Sequence, residues 1–590
     1  MLKKCFSWFS FVFALSLVMY GNAYSNTETP PSAYPGEWNV IFHPSQTPEV
    51  PPAAYEKITL AAGTVFFEDT KPLPCDIIWE KDIPITLRDG TTIYADVFRP
   101  ADNLTNLPAI VNWSPYGKSA PNPPIPVHPA EWVSGLMKYE GADAAYWCNN
   151  GYAVVNPDSR GANNSEGKIH FWGSVDAADG YDVIEWIAAQ EWSNTKVGLY
   201  GSSWLGTSQW FIAETQPPHL AAMAPWEAFT DVYRDHVAVG GIPDFGFIDA
   251  VGSNHKGWNV TESPAAMIQQ YPFMNDYWED KVVEVENIHV PTYAVASYYL
   301  HKHLDAFRRL GSEEKWLRVH NSFEWVDQYD PANVEDVRCF FDYYLKGIQN
   351  DWQQTPKVRM AVYNFGGEDE VDRPAEEWPL PDTTYKKYYL NAATGKLSQF
   401  NPLRSSSVSY RSKRKRGKAT FTLRFNSDTD MIGFLKLRLW VEADGNDDMD
   451  LFVLVQKLNA RGKDIRGASF PGNPRGYVGP EGRLRVSLRE LDADKSTDFI
   501  PFQTFRNPQP LNPGEIVPVD IRIWPTGMKF NAGEQLKLTV AGHPLAPMRF
   551  IGMNVPPPET LNAGRHIIHT GGRKYKSYLQ IPVVKQDRRR

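Results

Sequence analysis

Cysteine is scarce in this sequence: four residues in 590, at positions 5, 75, 148 and 339. Scattered in this way they form no disulfide framework, although one bridge stays open among Cys75, Cys148 and Cys339, and no Cys/His cluster has zinc-ligand spacing. The pattern calls for no metal and no cofactor. A basic excess is also missing. The formal charge of −9 excludes nucleic acid as an expected partner, because its binders carry basic faces. Beyond the N-terminus no apolar run is long enough to cross a bilayer.

The N-terminal run has the layout of an export signal over residues 1–23. Lys3 and Lys4 are followed by apolar residues from Phe6 to Tyr20 and by the small-x-small site Gly21-Asn22-Ala23. Ser7, Ser10 and Ser16 interrupt the run, which favours a cleaved signal over a membrane anchor. The expectation is a secreted or periplasmic protein with no stable membrane insertion after cleavage.

What remains has globular composition, 42% hydrophobic and 22% charged, and is long enough for two or three domains. Residues 24–80 read as an extended lead-in. Residues 81–370 read as an α/β domain, because short apolar runs such as Ala109–Val111 and Ala153–Val155 alternate with helical spacing such as Val183, Ile184 and Ile187. Within it the rhythm breaks from about 212 to 285, which reads as a helical cap. Residues 371–418, with the run Lys413-Arg414-Lys415-Arg416, read as a solvated basic linker. Residues 419–590 show short alternating strands with turn signals, the pattern of a β-sandwich. The acidic group Asp444, Asp447, Asp448 and Asp450 lacks the ligand spacing of a calcium loop and reads as a solvated turn.

One segment carries chemistry. The strand Val197-Gly198-Leu199-Tyr200 runs directly into Gly201-Ser202-Ser203-Trp204-Leu205-Gly206, and a helical pattern follows. A hydroxyl raised on such a turn, at a helix N-terminus, is placed as a nucleophile. Ser203 has the right spacing from both glycines; Ser202 does not.

In these residues the chain resembles the cocaine-esterase and Xaa-Pro dipeptidyl-peptidase group of α/β-hydrolases (CocE/NonD type). The resemblance runs through Ile85-Thr86-Leu87-Arg88-Asp89-Gly90, Ser114-Pro115-Tyr116-Gly117-Lys118, Asp158-Ser159-Arg160-Gly161, Asp179-Gly180-Tyr181-Asp182 and the turn at Ser203. It implies a helical cap and a C-terminal jelly roll of the galactose-binding-like kind. It also implies that Tyr116 and the backbone N–H of Trp204 receive the developing oxyanion.

The family pattern then breaks. Where it places an acid, the chain reads Ala296-Ser297-Tyr298-Tyr299-Leu300-His301, and where it places the histidine the chain has Phe323 or Glu324. His320 ends the preceding strand and is the expected base; His301 and His303 lie after the strand before it. Asp305, Glu324 and Asp327 are the candidate acids. Two classes of function follow: a serine hydrolase acting on a small ester, amide or peptide, or a hydrolase-fold protein that has lost its triad and binds a ligand or carbohydrate. Oligomeric state stays open, a homo-oligomer included.

Overall fold

A computed structural model describes residues 39–103, 105–299, 303–469, 476–546 and 555–584. The export signal and His301 lie outside the described residues.

Eleven strands build the first sheet: β1 (Glu56–Leu60), β2 (Ile77–Thr86), β3 (Thr92–Pro100), β4 (Leu107–Val111), β5 (Ala153–Pro157), β6 (Ser193–Ser202), β7 (Leu220–Trp226), β8 (Thr292–Ser297), β9 (Lys315–His320), β10 (Val358–Val362) and β11 (Glu370–Ala375). Their order across the sheet is β11-β10-β9-β8-β7-β6-β4-β5-β3-β2-β1. The seven from β5 to β10 run parallel, and antiparallel strands close both edges. Every residue of β4 and β5 is buried. Strands covered on both faces have no polar side to show, which is why these two read as unbroken apolar runs.

Helices α1 (Ser174–Ala188) and α2 (Trp204–Glu214) pack together on one face. Gly180 allows their close approach, because a Cβ there would run into Ile212. On the other face lies α4 (Pro331–Lys346). Asp330 caps its start by accepting the Ala332 N–H, and Gly347 ends it in the left-handed conformation.

Two boundaries differ from the sequence reading. The lead-in already contributes β1 and the first four residues of β2. The cap starts after β7, at residue 227 rather than 212, because α2 and β7 belong to the sheet layers. β7 is Leu-Ala-Ala-Met-Ala-Pro-Trp, whose alanines and Pro225 carry little strand propensity. Its burial between β6 and β8 decides its conformation instead.

The cap is a set of short helices, among them Gly246–Gly252, Pro264–Gln270 and Asp276–Glu279. It is held from inside by Lys281 and Glu262, both fully buried, with Nζ 2.9 Å from Oε1. The residues read as a linker form strands instead. β12 (Thr384–Asn391), β13 (Lys396–Ser398) and β14 (Ser406–Arg411) join β15 (Lys418–Arg424), β16 (Thr429–Asp444), β17 (Asp450–Leu458), β18 (Glu481–Arg485), β19 (Val517–Phe530), β20 (Gln535–Ala541), β21 (Arg565–Thr570) and β22 (Tyr578–Val583). This is one eleven-stranded sheet, ordered β14-β21-β16-β19-β18-β17-β20-β15-β13-β12-β22, that closes barrel-like through β16 and β22.

The basic run Lys413–Arg416 is the exposed turn of the β14–β15 connection. The acidic group is not a solvated turn throughout: Asp450 is fully buried against Arg485, at 2.8 Å, and Asp448 accepts the Ser487 N–H.

Candidate active site

Because β4 lies between β5 and β6, the chain leaves β4 in one direction along the sheet and returns in the other. Such a reversal opens a crevice at the carboxyl ends of the strands. The segment after β4 brings Tyr116 to it, and the end of β6 brings Ser203.

Ser203 has φ 57° and ψ −114°, a strained backbone for a residue with a side chain. The turn is shaped by its glycines. A Cβ on Gly201, at φ 136°, would stand 2.5 Å from the Leu205 Cβ, and one on Gly206 would strike the Trp226 carbonyl. The Ser203 N–H donates to that same carbonyl at 3.1 Å. α2 begins at Trp204, whose own N–H is at a helix start and has no intrahelical acceptor. Ser202 is fully buried beneath the turn, whereas Ser203 is half-exposed.

Two adjoining cavities of about 210 and about 420 Å³ share Tyr116, Ser203, Phe247, Val251 and Glu324. The smaller also takes Glu227, Phe229, Asp235, His236 and Asp244 from the cap, and Val478, Glu481, Arg483 and Trp524 from the second domain. Five non-glycine residues held at positive φ line the two cavities: Glu140, Asn163, Trp172, Ser203 and Glu227. Backbone strain of roughly 1–3 kcal/mol each persists where the surroundings over-determine a geometry, which singles out this crevice.

Tyr116 packs its ring edge-to-face on Trp204, with centroids 5.9 Å apart. Burial, then the nearby Glu140 and Glu324 carboxyls, push its phenol well above the usual tyrosine range, so the hydroxyl keeps its proton and can donate. Behind this pair sits His255, fully enclosed by Trp204 and Phe171, with centroids at 4.8 and 5.4 Å. Burial drives that imidazole down to about 3, so it is neutral.

The other expected residues are divided. Glu324 lines both cavities. Asp305 faces a different cavity and is engaged by Arg308 at 2.9 Å and Arg522 at 3.4 Å. Asp327 is a buried anchor for Arg318 and the Trp226 indole. His303 is turned to the Val295 carbonyl at 2.9 Å. His320 ends β9 as expected, but its nitrogens point elsewhere than the hydroxyl. Nε2 is 2.8 Å from Glu227 Oε1, and Nδ1 is 3.3 Å from Ser322 Oγ and 3.7 Å from Asp327 Oδ1. Among the described residues it makes no hydrogen bond to Ser203. The imidazole that does line a cavity with Ser203 is His236, seated on the cap between Phe229 and Phe247.

Glu140 was not visible from the sequence. Its carbonyl accepts the Ser202 N–H at 2.9 Å and Gln328 Nε2 at 2.8 Å, while the Trp325 indole donates to its Oε1 at 3.0 Å. The Ser203 hydroxyl favours its ionised form. Oε2, however, makes no hydrogen bond of good geometry, so the contact with Ser203 is loose, as catalytic contacts often are before substrate arrives. Burial raises this carboxyl to about 8 despite those two donors. Burial, Glu140 and Glu227 together hold Glu324 well above the ordinary range.

Comparison with known proteins places this geometry. Residues 89–279 match the X-Pro dipeptidyl-peptidase (S15 family) model, and residues 350–580 match that of the X-Pro dipeptidyl-peptidase C-terminal non-catalytic domain. A CocE/NonD family hydrolase from Staphylococcus aureus superposes with TM-score 0.83 at 34% identity, covering 91% of this chain and 97% of that one.

The chain belongs to the CocE/NonD hydrolase family.

A second member of the group, cocaine esterase from Rhodococcus sp. (strain MB1 Bresler), is 25% identical over 383 residues. That match spans 53% of this chain and 62% of the esterase, so less than two thirds of this relative's length is covered. An aminopeptidase from a marine sediment Thaumarchaeota archaeon shares the fold at TM-score 0.62 and 16% identity, over 92% of this CocE/NonD chain.

Proposed function

We propose that the protein is a serine hydrolase that opens an ester or amide bond through an acyl-enzyme on Ser203. The observation that carries this reading is the strained turn that raises the Ser203 hydroxyl into a cavity also lined by Tyr116. Ser203 Oγ attacks the substrate carbonyl, and the oxygen that gains charge is received by the Tyr116 hydroxyl and the Trp204 N–H. Preorganised donors of this kind contribute about 3–4 kcal/mol each to the barrier. Water then releases the acyl group and restores the hydroxyl.

In the same reading the first sheet is an α/β-hydrolase core, the closed strand domain a jelly roll, and the mature protein is exported. Glu227, Asp235 and Glu481 on the cavity wall suit an acyl portion bearing a positive charge or hydrogen-bond donors, such as a free amino terminus. A second reading, a binder without turnover, draws on the orientation of His320 away from Ser203.

A fluorophosphonate probe separates the two. The hydrolase reading expects stoichiometric labelling that disappears in Ser203→Ala. Absence of labelling in a folded protein that still binds ligands would leave the second reading.

A further inference from the structure

Ser203 shares a cavity with two carboxyls, Glu140 and Glu324. The loop bearing Glu140 is bolted to the turn by the Ser202 N–H. Its side chain is aimed by the Trp325 indole into the cavity that Ser203, Tyr116 and Glu324 also line. Glu324, one of the two positions that match the family's histidine, is at the start of helix α3 (Glu324–Tyr329).

We propose that Glu140 is the general base for Ser203, paired with Glu324 across the cavity, so that this chain acylates by a serine–carboxyl mechanism in which a carboxyl takes the proton. The proposal rests on the serine-hydrolase reading above and assigns the group that reading leaves open.

The proton balance closes. As Oγ bonds to the carbonyl carbon, its proton passes to Glu140 Oε2, and the carbonyl π electrons move onto the oxygen held by Tyr116 and Trp204. Collapse restores the carbonyl and breaks the bond to the leaving group, which takes the proton from Glu140. In the second half a water proton goes to Glu140 and returns to Oγ as the acid product departs.

A base must hold its proton weakly enough to lose it and strongly enough to take one. A carboxyl at about 8 meets that requirement near neutrality, where an ordinary carboxylate is too weak. Burial is what raises it, against the Trp325 indole and the Ser203 hydroxyl, and Glu324 is the neighbouring carboxyl that feels its charge. Tyr116, Tyr139 and Tyr329 are the phenols that face it, and Lys256 sits on the rim. Since Glu140 and Glu324 interact, the pH profile reports the pair rather than either residue alone.

The test is the rate of fluorophosphonate acylation and of aryl-ester hydrolysis from about pH 5 to about pH 10, using the full chain and folded variants. Glu140→Gln is expected to slow both by on the order of 10²–10⁴-fold, the usual share of a general base. Glu324→Gln is expected to slow both less than Glu140→Gln does and to reduce the pH dependence to that of a single carboxyl, because only one member of the pair then titrates. Should Glu140→Gln fold poorly, Trp325→Phe gives an independent readout: losing a donor to the ionised carboxyl moves the acid limb to higher pH. Acylation by Glu140→Gln at the parent rate, or transfer of the loss to His320→Asn or His236→Asn, overturns the assignment while sparing Ser203. Persistence of label and turnover in Ser203→Ala instead overturns the reading beneath it.

Discussion

Ser202 donates its main-chain N–H to the carbonyl of Glu140 at 2.9 Å, one residue before the exposed hydroxyl. That bond ties an irregular loop, far away in sequence, to the turn that ends β6. It puts a buried carboxyl beside a serine whose expected partner, His320, lies with Nε2 2.8 Å from Glu227.

Tyr116→Phe tests the oxyanion role. The phenyl ring preserves the packing on Trp204 and removes only the hydroxyl donor. The expected result is a fall in kcat of roughly 10²–10³-fold with KM and melting temperature nearly unchanged. A kcat close to the parent's would remove Tyr116 from the reaction.

Gly206→Ala tests the turn itself. The added methyl meets the Trp226 carbonyl, a backbone atom that β7 holds in the sheet. Overpacking there should cost about 1–3 kcal/mol, read as a lower denaturation midpoint, together with lost probe labelling.

The anchor of the cap should be sensitive to a single oxygen. Burial works against the Glu262 carboxylate, but Lys281, His170 and the Tyr277 hydroxyl outweigh it and hold the group at about 2. Glu262→Gln leaves a buried ammonium without its counter-ion, and a loss of about 3–5 kcal/mol is expected in chemical denaturation. In the parent protein the stability from this pair is present above the ordinary carboxylate range and disappears as pH falls towards about 2.

Glu140 should behave in the opposite sense. Unfolded, it ionises near about 4.3; folded, it keeps its proton up to about 8. Between those values the folded state binds more protons, so stability declines as pH rises and the decline is complete above about 8. Glu140→Gln removes that penalty and is expected to stabilise the protein at alkaline pH, while slowing the reaction by on the order of 10²–10⁴-fold. Equal stability of parent and variant across the pH range would contradict the burial argument.

The parts of the fold that announce themselves in sequence are those governed by local rules. β4 and β5 are visible because double burial leaves only apolar residues. The Ser203 turn is visible because a strand, two spaced glycines and a helix follow one another without interruption. β7 is not, since its alanines carry no propensity and only its neighbours make it a strand. The strands in 384–411 look like linker because few of their residues are buried, and closure of the second sheet depends on β16 pairing with β22, far apart in the chain. Glu140 is hidden for a related reason. It lies in no regular element, and its meaning comes from a non-local hydrogen bond that no spacing rule encodes. His320 is legible from its place at a strand end, which fixes where a side chain starts but not which way its nitrogens point.

The central claim is that turnover passes through an ester on Ser203. Acid-quenching the protein during aryl-ester hydrolysis and mapping the acyl group by peptide mass spectrometry tests it most directly. The account expects the acyl mass on the peptide carrying Ser203, and none in Ser203→Ala. Steady turnover with that peptide unmodified would contradict it.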